Sequence, residues 1–130
     1  MAFNLLIVDD SRTTRGVIKK TLAMTRLPIG QILEAGSGRE GLEQMRTAWV
    51  DLVLADLNMP DMSGVEMIEA MSRDPLLQKL PVVVVSSEGN QTLLDSLVDR
   101  GVREVVRKPF HPGLLREAME RVLGVIPGNV

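Results

Sequence analysis

Apolar positions along the chain switch between two periods. Runs of strand length occur at Leu5–Val8, Leu52–Ala55 and Val82–Val85, each almost unbroken by a polar residue. Strands apolar on both faces are those covered by helices above and below, as in a parallel sheet. Two further runs, Ile32–Ala35 and Val102–Val106, are interrupted by Glu34 and by Arg103 and Glu104; their mixed polarity suits the edges of a sheet. Between the runs the spacing becomes helical. Val17, Ile18, Thr21 and Leu22 share one stripe, and Leu42, Met45 and Trp49 a second. Leu93, Leu94, Leu97 and Val98 form another, and Leu114, Leu115, Ala118, Met119 and Val122 the last. Ser63 with Glu66 makes a capping box that starts a shorter helix, and Ser37 with Glu40 repeats that signature. The β-α unit thus recurs five times, which predicts right-handed crossovers and a doubly wound α/β fold, a five-stranded parallel sheet with helices on both faces.

Composition narrows what such a fold can do. A chain of 130 residues with 45% hydrophobic residues can bury a core without staples, and we read residues 1–124 as one domain and 125–130 as a C-terminal tail. The absence of cysteine excludes disulfides, thiolate catalysis and thiolate zinc sites. A net charge of −2, with Phe3, Trp49 and Phe110 as the sole aromatics, argues against a nucleic-acid surface. The opening segment lacks a basic signal region and no apolar stretch is long enough to span a bilayer, so a cytoplasmic protein without membrane contact is expected.

In an open α/β sheet, ligands bind beyond the carboxyl ends of the strands. The first run delivers Asp9 and Asp10 there, the third Asp56, the fourth Ser86, the fifth Lys108. Taken singly, each has an ordinary use: a helix cap for Asp10, a turn for Ser86, solvated surface for Lys108. Together they differ. Carboxylates converging at one mouth repel one another, and a hard divalent cation such as Mg²⁺ relieves that repulsion. Lysine, hydroxyl and metal are the groups that hold phosphoryl oxygens. A carboxylate can itself form an aspartyl phosphate, and Asp56, alone at the end of a central strand, is the candidate nucleophile, with Asp9 and Asp10 as metal ligands.

Three other signals compete. GSGREG at 36–41 matches the dinucleotide pattern G-x-G-x-x-G, and Asp56 lies 20 positions beyond Gly36, where a ribose-binding acid belongs. That fingerprint requires a central strand, whereas the run before it reads as an edge, and Asp56 is already claimed by the acidic cluster. We read the glycines as a turn into the Ser37 cap. His111, the single histidine, invites a relay role, but His111-Pro112 is a helix start, and a cap is the expectation. Trp49 is expected to close its stripe partly against the core.

With LLIVDDS at 5–11, VLADLNMPDMSG at 53–64, VVVVSSEG at 82–89 and VVRKPF at 105–110 in this order, the sequence resembles the receiver domain of bacterial response regulators, especially its stand-alone chemotaxis-type members. The resemblance covers nearly the whole chain. It implies a flavodoxin-like strand order 2-1-3-4-5, and phosphorylation of Asp56 by a sensor histidine kinase or phosphotransfer protein. It implies Mg²⁺ held by Asp9, Asp10, Asp56 and the Asn58 backbone carbonyl, with Lys108 and Ser86 contacting the phosphoryl group. Such a chain hydrolyses only its own aspartyl phosphate and is otherwise no enzyme. Asn58 and Glu88 occupy positions that tune dephosphorylation, and the Lys108–Pro109 bond is expected to be cis. Val105 stands where the chemotaxis-type members carry a switching aromatic, so that half of the switch is missing. Leu57 stands where they carry a tryptophan, so Trp49 should report phosphorylation poorly. The output face would be the fourth helix, fifth strand and fifth helix, rimmed here by Arg100, Arg103, Glu104 and Arg107. The competing reading is a receiver-like interaction scaffold, or a receiver excised from a larger regulator.

Overall fold

The computed structural model describes residues 2–124; Met1 and the segment 125–130 read as a tail lie outside the described residues. Five strands, β1 (Phe3–Val8), β2 (Ile29–Ala35), β3 (Leu52–Ala55), β4 (Val82–Ser86) and β5 (Val102–Arg107), alternate with α1 (Arg12–Ala23), α2 (Gly38–Thr47), α3 (Gly64–Ser72), α4 (Gln91–Val98) and α5 (Pro112–Leu123). The sheet is parallel throughout, in the order β2-β1-β3-β4-β5. Beta-branched and leucine residues build the three inner strands, where both faces are covered.

Side chains alternate across each strand, so the sheet carries two cores. Leu6, Val8, Val53, Ala55, Val82 and Val84 face α2, α3 and α4, meeting Leu42, Met67, Ile68 and Leu97. Leu5, Ile7, Leu52, Leu54, Val83 and Val85 face α1 and α5, meeting Ile18, Leu22, Leu115 and Met119. Each fully buried aliphatic side chain contributes about 1.5–3 kcal/mol.

Both mixed-polarity strands are edges, and both run longer than the hydrophobic pattern indicates. β2 starts at Ile29 because an edge tolerates exposed Gly30 and Gln31, and the Asn4 Oδ1 accepts the Gln31 N–H at 2.9 Å. β5 continues to Arg107, paired with Ser86. The helical stripes hold in their centres but not at their shoulders. Val17, Val98 and Leu114 are exposed.

Trp49 departs furthest from expectation. α2 ends at Thr47 and Ala48 turns extended (φ −135°, ψ 159°), which takes Trp49 off the helical stripe. The residue is 76% exposed and its Nε1–H donates to Asp51 Oδ1 at 2.9 Å. The caps are closer to expectation. Ser63 and Glu66 form the reciprocal box, each bond 3.2 Å. Ser37 accepts from the Glu40 N–H, but the Glu40 carboxylate takes the Gly36 N–H instead of the Ser37 N–H, so this box is only half made. His111 caps α5, its Nδ1 accepting from the Gly113 N–H at 3.0 Å. Among the described residues, no helix is long and apolar enough to cross a membrane.

Candidate functional site

Three backbone hydrogen bonds carry the sheet one residue past its strand ends. The Asp9 N–H donates to Ala35 O, the Asp56 N–H to Val8 O and the Lys108 N–H to Ser86 O. Asp9, Asp56 and Lys108 are therefore suspended from the neighbouring strand, not from a loop free to wander. Asp9 and Asp56 are buried and Asp10 is exposed, and the three offer carboxylate oxygens within 4.8 Å of one another. The Lys108 ammonium bridges Asp9 Oδ2 at 2.9 Å and Asp56 Oδ2 at 3.1 Å. Burial disfavours the lysine's charge, but the hydrogen bonds to Asp9 and Asp56 and the charges of both carboxylates together outweigh it and hold Lys108 above its ordinary value. The peptide bond after Lys108 is cis, as the resemblance implied.

The remaining oxygens are partly fixed. Asp9 Oδ1 accepts from the Ser11 N–H at 2.8 Å, and Asp56 Oδ1 from the Asn58 N–H at 3.3 Å. One ammonium faces three carboxylates, so the cluster keeps a surplus of negative charge on hard oxygen donors. That donor set fits a small divalent cation.

Ser86, buried at the end of β4, accepts the Glu88 N–H on its Oγ at 3.3 Å, which leaves the hydroxyl proton to donate elsewhere. The Glu88 carboxylate folds back on its own loop, taking the Gly89 and Asn90 N–H groups at 3.0 and 3.1 Å. Val105 is half-buried and lines a groove of about 210 Å³ between α4 and β5, with Leu94, Val98 and Arg107. Two residues of the rim beside it are paired. Arg100 lies 3.9 Å from Glu69, and Glu104 is bonded to Arg121 at 2.8 Å.

The glycine pattern resolves into packing. A side chain at Gly38 would meet Met62 and Ser63 at 2.8–2.9 Å, and one at Gly41 would meet Met67 and Val8 at 3.0–3.1 Å. Gly38 thus brings the start of α2 against the loop after β3, and Gly41 brings α2 against α3 and β1. The strand before them is the edge strand, where a dinucleotide fingerprint has no central crevice to serve.

An arginine that the sequence pattern does not single out also reaches the site. Arg15 donates Nη1–H to the Asp9 carbonyl at 2.6 Å and Nε–H to Glu34 Oε1 at 2.9 Å, and Lys19 bonds the other Glu34 oxygen. The bond from Lys19, then that from Arg15, holds the Glu34 carboxyl below its ordinary value of 4.5. A carboxylate depressed in the folded state stabilises above its unfolded pKa, and that contribution is lost as pH falls through the folded value. The stability gap between wild type and Glu34→Gln in urea is therefore expected to be full at about pH 7 and to close progressively as pH falls below 4.5. A gap that persists in acid means the effect is not ionic.

The family description "Response regulator receiver domain" matches residues 5–120. The chain is 36% identical over 121 residues to chemotaxis protein CheY1 of Helicobacter pylori, covering 92% of this chain and 96% of that protein. It is 36% identical over 126 residues to a chemotaxis protein CheY homolog of Campylobacter jejuni, covering 96% and 95%. Among solved structures, chemotaxis response regulator CheY4 of Vibrio cholerae superposes with a TM-score of 0.82 at 27% identity, over 94% of this chain and 99% of that one. A receiver domain protein of Methanospirillum hungatei shares the fold with a TM-score of 0.83 at 23% identity, over 95% of each chain.

Proposed function

The chain belongs to the response regulator receiver family, and from that premise we propose that it is a chemotaxis-type phosphorylation switch whose acceptor is Asp56. The phosphoryl donor is the phosphohistidine of a sensor kinase or phosphotransfer protein. A carboxylate oxygen of Asp56 attacks phosphorus, the P–N bond breaks, and the imidazole leaves with the bonding pair. Asp9, Asp10, Asp56 and the Asn58 carbonyl would hold Mg²⁺, which supplies positive charge to the phosphoryl oxygens when bound.

The protein's own groups do the rest. Lys108 leaves its two carboxylates to meet a phosphoryl oxygen, so a positive charge waits where negative charge arrives. The Ser86 hydroxyl, whose oxygen is already occupied by the Glu88 N–H, turns its proton to a second phosphoryl oxygen. Ser86 starts the loop into α4, and its movement shifts the balance between two arrangements of the α4–β5–α5 face where an output protein docks. Val105 leaves that balance to other side chains than an aromatic. Asn58 and Glu88 set how fast water removes the phosphoryl group. The protein acts in the cytoplasm through protein partners, without direct contact with nucleic acid or membrane.

The observation that carries this reading is the convergence of three carboxylates within 4.8 Å, two of them bridged by one lysine. Its test is intact mass after incubation with acetyl phosphate, with and without Mg²⁺. One phosphoryl adduct that forms only with Mg²⁺ is expected. Folded, Mg²⁺-binding protein that takes no adduct from acetyl phosphate or from a histidine kinase would instead be an interaction scaffold.

A further inference from the structure

Asp9 is fastened at every polar atom. Its N–H goes to Ala35, its carboxylate oxygens to Ser11 and Lys108, and its carbonyl to Arg15. Asp10, by contrast, is exposed, and what fixes it is the chain on either side. The carbonyl of Asp9 and the N–H of Asp10 lie in one rigid peptide plane. A group that holds that carbonyl therefore sets the direction in which the Asp10 side chain leaves the backbone.

Arg15 is placed for that task. It sits in the first part of α1 with its side chain only 16% exposed, and its planar guanidinium spans two partners on different strands. Nη1 meets Asp9 at the end of β1 at 2.6 Å, while Nε meets Glu34 on β2 at 2.9 Å. Lys19, one turn further along α1, holds the second Glu34 oxygen at 2.9 Å. Glu34 is thus an anchor on the sheet, and Arg15 is the strut between it and the peptide that joins the two aspartates.

We propose that Arg15, braced by Glu34, is a positioning residue that orients the Asp9–Asp10 peptide so that the acidic cluster takes up its divalent cation. The proposal rests on the reading of Asp9, Asp10 and Asp56 as the cation site. Arg15 touches neither the cation nor the phosphoryl group and acts through the backbone. Two roles for it predict opposite signs. A guanidinium near the cluster repels a divalent cation, so if its charge alone mattered, removing it would tighten binding. If orientation matters, removing it loosens binding, as losing a partner behind a metal ligand does.

The experiment measures the Mg²⁺ concentration for half-maximal phosphoryl adduct from acetyl phosphate, by intact mass, with thermal midpoints recorded without Mg²⁺. Arg15→Gln is expected to raise that concentration roughly tenfold or more. Arg15→Lys keeps the charge but cannot span both partners, and it should raise it as well. Glu34→Gln, which leaves Arg15 unbraced, should raise it to a smaller extent. Arg46→Gln removes an ion pair of similar kind to Asp74, away from the cluster, and should leave it unchanged. A half-saturation in Arg15→Gln equal to or below that of wild type overturns the proposal. So does a wild-type value in Arg15→Lys, since charge would then suffice. Should Arg15→Gln fail to fold, Arg15→Lys and Glu34→Gln decide the matter in the same way. Wild type that forms no adduct at all refutes the site reading instead, and the two failures are distinct.

Discussion

Replacing Gly64 by alanine is expected to destabilise the protein by about 3 kcal/mol or more, at or beyond the upper end of ordinary overpacking. Gly64 is the first residue of α3, where alanine would ordinarily be the better helix former by roughly 0.5–1 kcal/mol. Here the sign inverts. An alanine methyl would overlap the carbonyl oxygen of Asp56 and lie 2.8 Å from the Leu57 Cα and 2.9 Å from the Asp56 carbonyl carbon. All three are backbone atoms, so no rotamer change relieves the contact. Either α3 loses its first turn or the Asp56 backbone moves out of line with the cluster. Gly16 provides the contrast, being a helical glycine with open space for 4 Å around the place an alanine methyl would occupy. Gly16→Ala should stabilise by about 0.5–1 kcal/mol. Urea midpoints that move the same way for both substitutions would refute this account of the close approach.

Asp56→Asn is expected to abolish the phosphoryl adduct entirely while leaving the protein folded. An amide oxygen is far too weak a nucleophile to replace a carboxylate. The amide oxygen can still accept from the Asn58 N–H, and Lys108 keeps its bond to Asp9. Removing one of three like charges within 4.8 Å also lessens repulsion when no metal is bound. The thermal midpoint of Asp56→Asn should therefore stay close to that of wild type, in contrast to Gly64→Ala. An adduct that persists, with peptide mapping that places it on Asp9 or Asp10, would show the nucleophile to be another member of the cluster.

Most of the architecture is legible because inner parallel strands need apolar residues on both faces, and Leu5–Val8, Leu52–Ala55 and Val82–Val85 show that need directly. The edge strands are less so. Gly30 and Gln31 belong to β2 although nothing in their hydropathy favours a strand; they fall in the irregularity between the Phe3–Ile29 and Leu5–Ile32 pairs, where the Asn4 side chain accepts the Gln31 N–H. Trp49 is misread for a related reason: periodicity assigns a face to every apolar residue, but cannot tell that the helix has already ended at Thr47. The Glu40 side chain follows the same logic, since the capping signature gives two residue types and not which of two adjacent N–H groups the carboxylate will choose. At the site, the acids and the lysine stand out because they sit directly at strand ends. Arg15 does not, because a cation on a helix is usually solvated and its target is a carbonyl, which sequence does not display.

The two cores share no side chain, since each residue of the sheet points to one layer or the other. Five backbones are therefore a partition as well as a platform. Volume lost or gained under α3 is not compensated under α5, and changes on opposite sides should combine additively. Sequence can drift in the layer of α1 and α5 without forcing matching changes in the layer of α2, α3 and α4. A fold divided in this way lets its two outer faces diversify independently while the strand ends between them keep one chemistry.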